Sequence, residues 1–221
     1  MAWEDTMIAD LTTRIRNAFF IRFLGGVNGR MRGILCLMGG VCLFCVSFAS
    51  GQTTDNWNGG TGNWSTPGNW SAGVPNGNFN VFIDAGNPLT SIVTLDINAA
   101  VNNLTIDSDD SLAISNNHAL TVNGSSISNA GNISLNSGNN ATDLIIGSSS
   151  VTLNGAGTLT MGNNSANFIF GSVGTNVFKN QETIQGAGNI GEGQLTLSNS
   201  GTINANDGGA NALIVQTSGG T

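Results

Sequence analysis

The sequence predicts an all-β solenoid, a stack of short-stranded turns, following an N-terminal signal helix. Three observations predict it. Apolar residues alternate with small polar ones in triplets from about Val101 onward, Gly, Asn and Ser fill the gaps between them, and longer segments of the chain resemble one another. After residue 50 no stretch shows the 3.6-residue period of an amphipathic helix.

The triplets are Leu104-Thr-Ile106, Leu112-Ala-Ile114, Leu120-Thr-Val122, Ile133-Ser-Leu135, Leu144-Ile-Ile146, Val151-Thr-Leu153, Leu159-Thr-Met161, Phe168-Ile-Phe170 and Leu195-Thr-Leu197. Period-2 alternation bounded by turn residues is the signal of a half-buried strand. Gly and Asn between the strands tolerate the left-handed backbone that tight corners require. Three longer copies begin at Gly131, Gly157 and Gly201, intervals of 26 and 44 residues. Each reads Gly-x-Leu/Ile, a polar loop, an apolar triplet and a Gly/Ser/Thr corner. The wider interval has room for one more degenerate copy, expected around residues 188–198 (GNIGEGQLTLS). Self-similarity with a period in the twenties means stacked turns.

Stacking follows from energetics. A strand this short buries two apolar side chains, worth roughly 1.5–3 kcal/mol each, whereas ordering each residue costs roughly 1–2 kcal/mol of backbone entropy. A single turn therefore loses, and a stack sharing one core gains. A β-sandwich is the alternative architecture, since it also uses short alternating strands, but it does not require self-similar sequence.

Before the repeats the chain has a different character. All five arginines (Arg14, Arg16, Arg22, Arg30, Arg32) and all three cysteines (Cys36, Cys42, Cys45) precede residue 50. Residues 34–48 (ILCLMGGVCLFCVSF) are uncharged and mostly apolar, Arg30 and Arg32 lie just before them, and Ser47 and Ala49 supply the small residues of a cleavage site. Basic, apolar, then small-x-small is the pattern of a secretory signal peptide. The apolar run is shorter than the roughly 20 residues of a spanning helix, so an uncleaved signal anchor is the lesser reading. Residues 1–49 thus form a signal peptide with a long basic leader, for which Met31 is an alternative start.

The remainder has one basic residue, Lys179, against ten acidic ones, a formal charge of −9. One lysine makes no phosphate-binding cluster, which excludes nucleic acid as a partner. Export without cysteines implies stability from repeated backbone pairing rather than disulfides.

Residues 50–100 form a Trp/Gly-rich opening or capping segment. Trp57, Trp64 and Trp70 are spaced seven and six apart among Gly, Asn and Ser. A row of exposed indoles could stack on sugar rings and make a carbohydrate-binding module. Folded over the first turn, the same rings would cap an open edge instead, and their position immediately before the repeats favours the cap.

The run Trp57-Asn-Gly59-Gly60-Thr-Gly62-Asn-Trp64, then Asn69-Trp70-Ser-Ala-Gly73-Val-Pro75, then Val81-Phe-Ile83 resembles the opening of bacterial secreted β-strand-repeat proteins. The Gly-Thr-Leu/Ile repeats over 101–221 look like those of autotransporter passengers. The resemblance covers residues 55–221 and implies a right-handed parallel β-helix displayed outside the cell as an adhesin, matrix or stalk component. Such proteins usually end in an outer-membrane barrel or a sorting tail. Here the sequence stops in a corner, at SGGT (218–221), where earlier copies lead on to further strands. It therefore reads as an N-terminal fragment whose solenoid continues, with membrane attachment only through an uncleaved signal anchor or an unseen C-terminal anchor.

Candidate chemistry is sparse. Polysaccharide lyases need a base and cations for the substrate carboxylate, but no arginine follows residue 50. Hydrolases need a placed carboxylate pair. Asp109 and Asp110 are adjacent, yet the Gly-His-Gly and Arg-x-Lys elements of pectin-hydrolysing β-helices are missing, and His118 sits in Asn117-His118-Ala119 as an exposed corner residue. Asp107, Asp109 and Asp110 could hold Ca²⁺, a hard ion taking oxygen ligands. An EF-hand counted from Asp107 fails at Leu112 and His118, so a solvated acidic corner is the simpler reading. The Ca²⁺-binding solenoid nonapeptide fails in 206–211. Seven Asn-x-Ser/Thr triplets (at Asn63, Asn69, Asn103, Asn123, Asn132, Asn140 and Asn163) follow from the composition. The expectation is a non-enzymatic, extracellular structural or adhesive protein meeting polysaccharide or a host or matrix surface. A carbohydrate-binding module is second, and a polysaccharide-active β-helix enzyme third.

Overall fold

The computed structural model describes residues 22–24, 32–34, 52–83, 86 and 88–218. The chain divides into two compact units, Met1–Gly51 and Gln52–Thr221. In the first, β1 (Arg22–Leu24) pairs antiparallel with β2 (Arg32–Ile34). The rest of the expected signal peptide lies outside the described residues. Among the described residues no helix is long and apolar enough to cross a membrane.

The second unit is a parallel β-solenoid of seven turns. The first turn holds β3 (Thr53–Asn56), β4 (Thr61–Asn63) and a 3₁₀ segment at Pro67–Asn69. The second holds β5 (Phe79–Ile83), β6 (Ile92–Leu95) and β7 (Ala99–Val101). The third holds β8 (Asn103–Ile106), β9 (Ser111–Ser115) and β10 (Ala119–Val122). The fourth has β11 (Ser126–Asn129), β12 (Asn132–Asn136) and β13 (Thr142–Ile146). The fifth has β14 (Ser150–Asn154), β15 (Thr158–Met161) and β16 (Asn167–Gly171). The sixth has β17 (Val177–Asn180), β18 (Thr183–Gly186) and β19 (Gly188–Gly191). The seventh has β20 (Thr196–Asn199), β21 (Thr202–Asn204) and β22 (Leu213–Val215).

First strands stack into sheet one and second strands into sheet two, seven strands each, and third strands into sheet three, of six. The strand pairings of all three sheets are parallel. A sandwich of antiparallel sheets is thereby excluded. Solenoid pairing begins at β3, so residues 50–100 contribute the first two turns as well as the tryptophan segment.

The alternating triplets place every second side chain inside, where equivalent residues stack. Val93, Leu112, Ile133, Leu159 and Ile184 form one fully buried column in sheet two, and Leu120, Leu144, Ile169 and Ile190 another in sheet three. Each turn caps the apolar side chains of the turn before it, which is how three- to five-residue strands come to be stable.

Two expectations shift in detail. The degenerate fourth copy begins at Glu182, not Gly188. The Thr158–Thr183 and Thr183–Thr202 pairs put Glu182 where neighbouring turns have Gly157 and Gly201. Residues 188–198 instead straddle β19 and β20. In Phe168-Ile-Phe170 the polarity is reversed. Ile169 pairs with Leu144 and Ile190 inside, while both phenylalanines are half-exposed on the outer face of sheet three.

The turn length varies, from 19 residues between Phe178 and Leu197 to 31 between Thr61 and Ile92. In sheet one the inward column changes chemistry towards the last turns. The column Val81, Leu104, Ile127 and Leu153 continues as the buried Asn180 and the exposed Asn199. Asn180 is fully buried, and its Nδ2 donates to Asn199 Oδ1 at 2.7 Å and to Glu182 O at 3.0 Å.

Gly186 closes β18 with φ +112°, and a Cβ there would collide with the Met161 backbone carbonyl. Gly193, at φ +68°, faces open space. Gly186→Ala is expected to destabilise the solenoid by more than the roughly 1–2 kcal/mol of a left-handed alanine, and Gly193→Ala by no more than that. Urea midpoints of the two variants check the difference.

Candidate functional site

The tryptophan segment closes the first turn. Trp57 and Trp64 extend β3 and β4 and bond to the second turn, through Trp57 N to Phe82 O and Trp64 N to Thr94 O, both 2.8 Å. The chain then bends through Pro67–Asn69 and returns Trp70 beside Trp57 in an isolated antiparallel bridge. The Trp57 and Trp70 rings meet edge-on, with centroids 4.9 Å apart, and Trp64 and Trp70 at 4.6 Å. Trp57 Nε1 donates to Gly60 O at 3.1 Å and Trp70 Nε1 to Trp64 O at 2.8 Å, while Trp64 Nε1 is buried without a partner. The three side chains are 2%, 0% and 4% exposed. A stacking platform needs an open ring face, and here the faces are spent on one another and on the core. Asp55, fully buried, holds the returning strand by accepting from Ser71 Oγ at 2.9 Å and Ala72 N at 2.8 Å.

The acidic corner between β8 and β9 is not simply solvated. Asp109 is exposed at φ +69°, but Asp110 is buried and Asp107 half-buried. Asp110 Oδ1 accepts from Ser91 N at 2.7 Å, and Asp107 Oδ2 from Gly86 N at 2.8 Å. Both carboxylates tie down the chain of the preceding turn, with Pro88, Leu89 and Thr90 lining the same hollow. Among the described residues no group of three or more His, Cys, Asp or Glu side chains is arranged to hold a metal ion. His118 is half-buried rather than exposed. Its N donates to Ser115 O and its carbonyl accepts from Asp143 N, so it forms part of the corner.

Sequence reasoning missed the buried carboxyl Glu182. Glu182 Oε1 accepts from Asn129 Nδ2 at 3.0 Å, two turns away, and Oε2 is buried without a partner. The contact passes over Gly157, where a Cβ would stand 2.6 Å from Asn129 Nδ2. Burial pushes the Glu182 carboxyl up and the Asn129 hydrogen bond partly offsets it. Asp143, on the outer face of sheet three, is also pushed up by burial, and its Oδ1 has no partner. For Asp96 burial acts upward, but hydrogen bonds from the Ser65 hydroxyl (2.6 Å) and N–H (2.9 Å), with His118 nearby, hold it below the ordinary value. The two raised carboxyls occupy different parts of the turn, an interior corner between sheets one and two for Glu182 and the outside of sheet three for Asp143.

The outside is dominated by neutral amides and hydroxyls. Asn103 Oδ1 accepts from Ser125 N and Ser126 N, and Asn116 Oδ1 from Gly138 N and Asn140 N. Along sheet two, Ser111, Asn132, Thr158, Thr183 and Thr202 form an uncharged outward column. The turn-residue composition held the signal for these ladders, but not their pairing across turns. No protein-family model, curated protein or solved structure matches the chain.

Two outcomes follow from this geometry. Trp64→Ala should cost about 3–5 kcal/mol, the range for a truncated core aromatic, whereas Trp64→Phe, which also removes an unpartnered N–H, should cost less. Thermal melts of the two variants check this. The raised carboxyls favour their protonated forms in the fold, so their contribution is complete below the unfolded carboxyl range and is lost as pH rises through the folded values. The melting temperature should therefore be higher near about pH 5 than near about pH 8. Glu182→Gln, which keeps the acceptor for Asn129, should flatten that dependence.

Proposed function

We propose that the chain is an exported, cell-surface structural or adhesive repeat protein, of the kind found in bacterial autotransporter passengers, and that its solenoid is a stiff spacer without catalytic activity. The observation that carries this reading is the continuity of the parallel ladders. Two of the three sheets run through all seven turns, and at the roughly 4.8 Å strand spacing of a sheet the stack is about 29 Å tall. A continuous stack resists bending because any bend must stretch hydrogen bonds in at least one sheet.

The side-chain chemistry supports the same reading. The tryptophans cover the first turn, as an end cap does, and leave no open ring face for sugar stacking. The two carboxyls that burial raises, Glu182 and Asp143, lie in different parts of the turn. Adhesive contact would fall to the neutral outer ladders, whose amides and hydroxyls suit polysaccharide or a hydrated matrix surface better than a charged partner.

Protease shaving of intact producing cells, with binding and product-release assays on neutral and acidic polysaccharides, tests the proposal. The expected result is release of solenoid peptides from the cell surface and retention on a surface or polymer without chain cleavage. Retention of the protein inside the cell, or liberation of sugar products, would overturn it.

A further inference from the structure

We infer that Asn154 is a site of spontaneous covalent modification, deamidating to aspartate and isoaspartate through attack by the Gly155 backbone nitrogen. Asn-Gly is the pair in which this reaction is least hindered, because glycine has no side chain to shield its nitrogen and adopts conformations closed to other residues. The described residues contain four such pairs, at Asn58, Asn76, Asn123 and Asn154, and the fold treats them differently.

Three pairs are held. Asn58 donates from Nδ2 to Gly68 O at 3.0 Å and from its backbone to Asn69 O at 2.8 Å. Asn76 Oδ1 accepts from Asn78 N at 3.1 Å, and its carbonyl accepts from Phe79 N at 3.0 Å, fixing a tight turn. At Asn123 the attacking atom itself is engaged, since Gly124 N donates to Asn102 O at 2.5 Å while Asn123 N donates to Val101 O at 2.8 Å.

Asn154 has neither a bonded side chain nor an engaged attacking nitrogen. It ends β14 with its side chain directed outward, and neither that side chain nor the Gly155 N–H makes a hydrogen bond. Gly155 and Ala156 are exposed, so water and hydroxide reach the corner, and Gly155 sits at φ +136°. The parallel ladder fixes the chain up to Asn154 through its pairing with Ser128 and does not extend to Gly155.

The chemistry needs only water. Gly155 N, losing its proton, bonds to Asn154 Cγ. The Cγ–Nδ2 bond breaks, and Nδ2 leaves as ammonia carrying that proton. Water then opens the cyclic imide at either carbonyl. One opening gives aspartate and the other gives isoaspartate, whose main chain is longer by one methylene. No electron transfer occurs, and the net change is one water consumed and one ammonia released. Both products place a new negative charge on the outside of the corner between β14 and β15.

The test is peptide mapping of the exported chain after prolonged incubation at mildly alkaline pH in heavy-oxygen water, which labels each newly formed carboxyl. In the folded protein the Asn154 peptide should label on the order of tenfold faster than the Asn58, Asn76 and Asn123 peptides, equivalent to about 1.4 kcal/mol in barrier. In denaturant the four should label at similar rates. Asn154→Ser should abolish that peptide's label and leave the other three unchanged. Equal labelling of all four in the folded state, or an Asn154 peptide that labels only in denaturant, would overturn the inference.

Discussion

The backbone edge of each turn is satisfied by the turn above and the turn below, and everything else in the solenoid answers to that requirement. A three- to five-residue strand has too little surface to bury for independent stability, yet its N–H and C=O groups must be paired once water is excluded. Parallel stacking meets both demands, because the same displacement that pairs the backbone sets equivalent side chains on top of one another. The Val93-to-Ile184 column and the outer amide ladders are the inner and outer faces of one constraint.

Close stacking also decides what the corners can hold. At Gly157 and Gly201 the neighbouring backbone carbonyl comes so close that a side chain would displace it. Where Asp110 and Glu182 occupy the same column, their carboxyls turn to polar partners, Ser91 N and Asn129 Nδ2. Burying an ionisable group is costly unless it is paired or neutralised. The upward displacement of the Glu182 carboxyl is the titration counterpart of that cost.

Much of this was legible in the sequence because the period of two is a local property. All nine apolar triplets meet solenoid strands, and the period in the twenties follows from copies at Gly131 and Gly157. What was not legible depends on register between turns. Phe168 and Phe170 look like core residues until the Ile169 pairing with Leu144 turns them outward. The start of the fourth copy was hidden because Glu182 replaces the expected glycine. The acidic corner looked solvated because its partners, Ser91 and Gly86, lie 19 and 21 residues from the carboxylates they bind. The tryptophan spacing allowed two readings, and only the return of the chain after Pro67–Asn69 brings the rings together.

The passage from Leu153 to Asn180 and Asn199 along sheet one gives the rod a direction. Aliphatic columns cohere by area alone and tolerate small sliding, whereas an amide ladder is directional and competes with water as soon as it opens. Between the sixth and seventh turns the Asn180–Asn199 contact is of the directional kind, and between the third and fourth the Leu104–Ile127 contact is of the other. The two ends of the stack are therefore chemically unlike, with tryptophan rings in the first turn and an amide pair at the last, so the solenoid is polar in composition as well as in strand direction.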